Sequence, residues 1–515
     1  MEINIPQLQP LVEKLHAVWQ QFGSSIFFLA ALGVGGIGFL LILIRKSIAP
    51  ENLMYSIQDD ELSIEEGCQN FLITGGIGSG KTNALNYLLY SLTVNQPTWG
   101  GLWLDNKGNS EADLRAVLKA RNRGADAIVL RARSQGREST HFYNVMADPA
   151  FTPEALGFAI MEVTNGSPNS HSGDFFQKQG ALHIAKAIHA LRAMGRPVSF
   201  TTIYPVLTDA RSTVKFIEEM QYFPNEIPSD SAVKSKGPRP DPAIAPYFDH
   251  FQNTFIAMPP DQFGGVIGTI LNALSPFQTP EVAEVFASEN QPQSFNFADL
   301  EKSKVLCISL PQIYPQERYA LNVLFKHLFY QYSMTRYDLP AGELKKANVL
   351  ALWLDEAQHS LRKGDWGDYR WLDRLRAAKC SAILAMQDHT SAYPVLGKDV
   401  AIVTMAQLRN RLIFSAPTFE SAELSANFIG KVEKMKVTKG YNAGRSNISR
   451  TPHDEFTLKP KDINGLKNHF CHVYLANKTL RRNVKLPRCE PAQGVMPSHA
   501  IRECAETLSP HLSGR

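Results

Sequence analysis

The run from Phe71 to Leu89, FLITGGIGSGKTNALNYLL, constrains the fold more than any other part of the chain. Within it, Gly75-x-x-x-x-Gly80-Lys81-Thr82 fits the phosphate-binding loop pattern at every fixed position. The stretch from Cys68 to Thr74, apolar in its second half, predicts a buried strand before the loop. Leu85, Leu88 and Leu89 predict a helix after it. Strand, loop and helix in that order are the context in which the motif has meaning. Glycines let successive N–H groups turn inward around phosphates, where a side chain would collide. The helix start adds its positive end to the cradle. The expected nucleotide-binding residues are Gly75, Gly76, Ile77, Gly78, Ser79, Gly80, Lys81, Thr82 and Asn83. Lys81 reaches the β- and γ-phosphates and the Thr82 hydroxyl ligates magnesium. The competing reading, a glycine-rich turn that binds nothing, does not account for the flanking pattern.

A chain of 515 residues holds two or three domains and buries a large core. Its 53 basic and 49 acidic residues nearly balance, which neither demands nor excludes nucleic acid, since a groove can be basic on a neutral molecule. The six cysteines, Cys68, Cys307, Cys380, Cys471, Cys489 and Cys504, form no CxxC pair. Several lie in or beside apolar strands and read as small buried hydrophobes, so neither a disulfide scaffold nor a zinc site is expected.

Phe22 to Ile44 contains no charged residue, about the length of one membrane-crossing helix. Its cluster Gly33, Gly35, Gly36 and Gly38 suits close packing in a membrane better than a soluble helix. Arg45 and Lys46 follow directly, which places the C-terminal bulk in the cytoplasm and the N-terminus outside. A cleaved signal peptide would need basic residues before the apolar run and a small-residue site after it. The expected organisation is a short outer tail (1–21), a transmembrane helix (22–45) and a linker (46–67). The nucleotide-binding domain (68–152 and 285–489) is interrupted by an all-α insertion (153–284), and a flexible tail (490–515) ends the chain.

The rest of the pattern is α/β. Gly101 to Asp105, Ala127 to Leu130, Lys304 to Leu310, Val349 to Leu354 and Ser381 to Met386 read as strands, alternating with helical stretches. That alternation predicts a parallel central sheet with helices on both faces and a ligand at the strands' carboxyl ends. Asp174 to Met194 is the clearest helix of the insertion, with Phe175, Leu182, Ile184, Ile188 and Leu191 spaced mostly for one face. Phe223 to Pro246 reads as a long loop. The strand ending in Asp355-Glu356 supplies the second half of a nucleotide site: Asp355 holds the magnesium and Glu356 acts on the attacking water. Gln387, at the end of a further strand, is placed to sense the γ-phosphate or position water.

The order of these motifs carries a family resemblance. The loop at Lys81, Asp105-Asn106-Lys107-Gly108, the helical insertion, Asp355-Glu356-Ala357 and Gln387 resemble the TraG/TraD-type coupling proteins of bacterial conjugation and type IV secretion. These belong to the FtsK/HerA group of RecA-like motor ATPases. Leu274 to Phe277, Pro280 to Val282, Ser309 to Pro311, Ser421 to Ser425 and Ile429 to Lys431 are similar to the same family, and the likeness runs from about Phe71 to Leu486. It implies a RecA-like P-loop domain, ATP and Mg2+ as ligands, a homo-hexameric ring, and a place in the bacterial inner membrane. DNA, a relaxase or relaxosome and type IV secretion channel components are the implied partners. It also implies an arginine finger in trans, for which Arg376 stands in the family's position and Arg374 is the rival. Two departures stand out: Asn106 replaces the usual Pro, which leaves the role of Lys107 open, and one apolar span replaces the usual two.

Contacts with substrate are read from charge. Lys431 to Arg450 holds Lys434, Lys436, Lys439 and Arg445 against the single acid Glu433, with Gly440 and Gly444 interspersed, and reads as a flexible basic loop. Such a loop grips phosphates without reading bases, or is simply solvated. Arg362-Lys363-Gly364-Asp365-Trp366 could set two cations and an aromatic beside a single strand, or Trp366 could pack locally. A double-stranded DNA pump, a coupling ATPase for effector proteins and a docking receptor with a structural nucleotide site remain alternatives. A membrane protease is unsupported, since the chain has no HExxH motif.

Overall fold

The computed structural model describes residues 50–108, 110–133, 141–164, 171–225, 227, 238–287, 292–364, 367–442 and 445–497. The apolar span at 22–45 and the tail beyond residue 497 lie outside them. Among the described residues no helix is long and apolar enough to cross a membrane.

A nine-stranded sheet organises the chain from Leu53 onward. A hairpin comes first: β1 (Leu53–Ile57) pairs antiparallel with β2 (Asp60–Ser63). Its Met54, Tyr55, Ile57 and Leu62 are buried, so this part of the expected linker belongs to the folded body. Then come β3 (Phe71–Thr74), α1 (Lys81–Asn95), β4 (Gly100–Asp105), α2 (Glu111–Ala120) and β5 (Ala127–Leu130).

The insertion follows as helices: α3 (Pro153–Met161), α4 (His171–Ala193), α5 (Phe200–Thr208), α6 (Ala210–Tyr222) and α7 (Pro260–Leu274). In α4, Ile184, Ile188 and Leu191 are buried, but Phe175 and Leu182 are exposed. Those two lie seven residues apart on another side of the helix, which corrects their assignment to the same face. Part of the long loop expected at 223–246 falls outside the described residues.

The sheet resumes with β6 (Val305–Ser309), α8 (Pro315–Thr335), β7 (Leu350–Leu354), β8 (Cys380–Met386), α9 (Lys398–Ala406), β9 (Asn410–Ile413) and α10 (Phe419–Ile429). A hairpin of β10 (Lys431–Asn442) and β11 (Arg445–Phe456) precedes β12 (Phe470–Tyr474) and β13 (Leu480–Lys485). The strand order is β13-β12-β9-β3-β8-β7-β4-β6-β5. From β9 to β5 every neighbouring pair is parallel; β12 and β13 add an antiparallel edge.

Helices cover both faces, so the strands are continuous apolar runs. Leu102, Leu104, Leu352 and Leu354 face the core shared with α8 and the insertion. Trp103, Ala351 and Trp353 face the core shared with α1 and α2. There Trp103 stacks on Trp353 with ring centroids 5.4 Å apart. Cys68, Cys307, Cys380, Cys471 and Cys489 are buried, as expected of small hydrophobes. The start of the expected tail is packed: Ala492 N–H donates to Asp113 on α2 over 2.9 Å.

Candidate nucleotide site at the carboxyl edge of the sheet

Register alone brings the motifs together. Thr74 pairs with Met386, and Leu354 with both Leu384 and Leu104. The residues that follow these pairs, Gly75, Gln387, Asp355 and Asp105, therefore leave the sheet along one edge. Because β8 lies between β3 and β7, Gln387 stands between the Lys81 loop and the Asp355-Glu356 turn. Their strands are about 10 Å apart, two inter-strand spacings.

The loop is held open by its glycines. Gly78 and Gly80 have φ of 72° and 115°, the left-handed region where a side chain is strained. A Cβ at Gly75 would lie 2.5 Å from Phe414 Cβ and 2.6 Å from Ser79 Oγ. From beneath, Gly76 N–H donates to Ser415 O (2.9 Å) and His469 N–H to Ser79 O (2.8 Å). The α1 N-terminus has no side-chain cap, so its N–H groups stay available to an anion. Ser79 Oγ is buried with no hydrogen-bond partner, while Thr82 is exposed. Lys81 folds back to donate to the carbonyls of Gly75 (2.7 Å) and Gly76 (3.0 Å). Burial pushes its pKa down, against the pull of Glu356. Asn83 uses its side chain elsewhere: it donates to Pro487 O (3.0 Å) and accepts from Cys489 N–H (2.7 Å).

The acidic half is equally specific. Lys107 Nζ lies 2.7 Å from Asp355 Oδ2 and 3.4 Å from Glu356 Oε1, which answers where that lysine points. Burial pushes the Asp355 carboxyl up, with Lys107 pulling it down. For Glu356, burial also pushes up but is outweighed. A hydrogen bond from Gln358 (2.7 Å), then Lys107, Lys81 and Gln387, hold the carboxyl below the ordinary glutamate range. Gln387 Nε2 sits 3.4 and 3.3 Å from the two Glu356 oxygens. Glu356 itself has φ 49° and ψ 51°, a left-handed conformation that costs a non-glycine residue about 1–2 kcal/mol. Such strain persists only where the surroundings over-determine it.

Asp105 plays another part. Fully buried, it accepts from the N–H groups of Lys107 (3.2 Å), Gly108 (2.8 Å) and Ser110 (2.9 Å) and from Ser309 Oγ (3.2 Å). It shapes the turn that presents Lys107. The residue in place of the usual Pro, Asn106, donates to Asp355 O over 2.7 Å. Sequence reasoning noted Asn106 as a departure without a role for it, and missed Gln358 and the Ser415 and His469 backbones. Only the amides at fixed distance from the acidic pair gave a signal.

The remaining candidates lie apart. Arg376 precedes β8, at the opposite end of that strand from Gln387, where it pairs with Glu65; both side chains are about half exposed or more. Its neighbour Arg374 accepts the Tyr337 hydroxyl on its carbonyl (2.7 Å). Arg362 is buried, its guanidinium 4.2 Å above the Tyr319 ring. That removes it from any strand-facing pair with Lys363, which is half-buried; Trp366 lies outside the described residues.

The expected flexible basic loop is instead the β10–β11 hairpin, with Lys431 opposite Phe456 and Asn442 opposite Arg445. Twelve-residue arms in continuous antiparallel register leave Lys434 and Lys436 exposed, and Lys434 pairs with Glu455 at 2.7 Å. Lys439 and Arg445 belong to the same hairpin.

No family model and no curated protein matches the chain. Solved structures do. The unbound conjugative coupling protein TrwBdeltaN70 aligns with a TM-score of 0.60 at 15% identity, covering 88% of this chain and 93% of that one. TrwB in complex with ADP and Mg2+ gives 0.60 at 15% identity, over 88% and 94%. TrwB with the GTP analogue GDPNP gives 0.60 at 14% identity, with the same coverage. Over most of its length this chain therefore has the fold of the plasmid coupling protein TrwB.

Proposed function

We propose that the chain is a membrane-anchored P-loop ATPase that couples hydrolysis of ATP to recruitment and translocation of DNA into a conjugative type IV secretion channel. The observation that carries this is the joined half-sites: Lys81 at the loop, Gln387 on the strand between, and Glu356 held by both Gln358 and Lys107. The coupling-protein fold, and the nucleotides and Mg2+ in the TrwB complexes, support the biological setting.

The residues fit a triphosphate and its metal. Uncapped N–H groups of α1, the orphaned Ser79 hydroxyl and Lys81 form an anion cradle. Exposed Thr82 and the Asp355 carboxylate are the hard oxygen ligands magnesium takes. When bound, magnesium neutralises charge on the phosphates. Lys81 would exchange its loop carbonyls for phosphate oxygens. Glu356, kept ionised by its neighbours, would accept the proton of the attacking water, with Gln387 fixing the carboxylate. Arg376 would act on a neighbouring copy's site in a ring, since in its own chain it sits at the far end of β8. The exposed β10–β11 lysines and Lys363 would track a phosphate backbone. The charge pattern flanking residues 22–45 supports an N-terminus outside and the ATPase in the cytoplasm of the inner membrane.

Hydrolysis by the full chain in lipid nanodiscs, with and without single- and double-stranded DNA, tests the reading. DNA-stimulated turnover supports it, and the more effective strand form identifies what is threaded. Turnover indifferent to either form overturns the motor reading in favour of a docking receptor or a protein-directed relative.

A further inference from the structure

α8 is a long buried helix whose sequence breaks its own apolar character at a regular interval. Asn322, Lys326 and Tyr330, at i, i+4 and i+8, share one face, and all three are buried. Lys326 and Tyr330 reach the segment that follows β7, and Asn322 reaches Asn106 in the turn after β4. Asn322 Nδ2 donates to Asn106 Oδ1 (2.6 Å), and Asn106 Nδ2 donates on to Asp355 O (2.7 Å). Ser360 Oγ approaches the same Asn106 oxygen at 3.3 Å. Lys326 Nζ donates to Ser360 O and pairs with Asp368 at 2.7 Å, neither side chain showing any exposure. The Tyr330 hydroxyl adds 2.8 Å to Asp368, whose carboxylate also accepts Arg362 N–H.

We propose that Asn322 and Lys326, with Asn106 as the bridge, are positioning residues for the catalytic carboxylate. The left-handed backbone of Glu356 is fixed on both sides: Asn106 holds the preceding carbonyl, and Lys326 holds that of Ser360 four residues on. In this conformation the carboxylate meets Gln358 and Gln387. Relaxation of the turn to an ordinary backbone conformation would withdraw it from both. Stability alone does not explain the stripe, because a buried ion pair is commonly replaced by apolar residues without loss. What charge and amide groups add is a single geometry. The helix also touches the insertion: Gln331 Nε2 donates to Ala155 O on α3 over 3.1 Å, and both elements share one core. The element that sets the Glu356 turn is thus packed on the helical insertion.

The inference rests on the catalytic role proposed for Glu356, and its test separates the two. In the full chain in nanodiscs, Asn322→Leu and the charge-free pair Lys326→Met with Asp368→Leu are compared with wild type and Glu356→Gln. The readouts are Kd for a fluorescent Mg·ATP analogue, kcat, Tm and a double-mutant cycle. The expected result is a kcat lowered about tenfold or more with Kd within about twofold. Combined with Glu356→Gln, Asn322→Leu should cause no further loss, because both act through one group. Should Asn322→Leu fail to fold, the charge-free pair carries the same comparison. Unchanged kcat in a folded variant overturns the inference, as do kcat, binding and Tm falling together, or full additivity with Glu356→Gln. Wild-type turnover by Glu356→Gln alone overturns instead the role of Glu356.

Discussion

The carboxyl edge of the sheet and the β10–β11 hairpin are both rich in charged residues, and they use charge in opposite ways. At the edge, a partly exposed Lys107 pairs with the buried carboxylates of Asp355 and Glu356, which amides from Asn106, Gln358 and Gln387 fix in place. On the hairpin, Lys434 and Lys436 stand in solvent, and the Lys434–Glu455 pair lies at the surface. Exposed pairs contribute about 0–1 kcal/mol and are screened by salt. The first arrangement holds a carboxylate at a defined point; the second supplies a diffuse positive field at the surface. Residue type is thus a poor guide to role until burial and hydrogen bonding are known.

The sharpest way to break this contrast is at Lys81. Lys81→Ala should weaken Mg·ATP binding by about 3 kcal/mol, roughly 100-fold, measured by nucleotide titration. An equally large loss from Lys436→Ala would erase the distinction.

Stability should divide the same way. Leu352→Ala, in the core on β7, is expected to cost about 2–5 kcal/mol in denaturant unfolding. Val437→Ala, 53% exposed on the hairpin, should stay within about 0.5 kcal/mol.

The pH response sharpens the electrostatic side. Burial raises the Glu356 carboxyl, and the Gln358 hydrogen bond with Lys107 and Lys81 more than reverses it. A depressed folded-state value means the carboxylate stabilises the fold above the ordinary glutamate pKa, and that contribution is lost only as pH falls through the lower one. Turnover should therefore show no Glu356 limb from pH 8 down to about 5. Gln358→Ala, which removes the leading favourable contact, should move the acid limb upward.

The smallest effect belongs to the hairpin. Lys434→Ala with Lys436→Ala should reduce DNA affinity a few-fold at low salt, lower the salt slope by about one per phosphate contact, and leave DNA-free turnover unchanged.

The two regions also differ in how far they could be read from sequence. The Lys81 loop and the Asp355-Glu356 strand end are chemistry at fixed spacing, so their meeting followed once β3 and β7 were assigned to one parallel sheet. Lys107 was visible as a residue, but its target depended on register, because β4 and β7 are adjacent only in three dimensions. The hairpin was obscured by its composition. Val432 lies on one face and Met435 and Val437 on the other, with Glu433, Lys434 and Lys436 between them, so no single apolar face stands out, and Gly440 with Gly444 resembled a loop. The α8 stripe was legible in principle as polar residues four apart in an apolar helix. Nothing in the sequence said that their partners were Asn106 after β4 and the segment after β7.

Single-turnover hydrolysis of prebound Mg·ATP by the full chain, wild type against Glu356→Gln, isolates the chemical step at Glu356. Nucleotide binding should be equal and hydrolysis slower by about 10²–10⁴-fold in the variant. Equal rates would show that Glu356 is not the base, and that the geometry around it serves something other than hydrolysis.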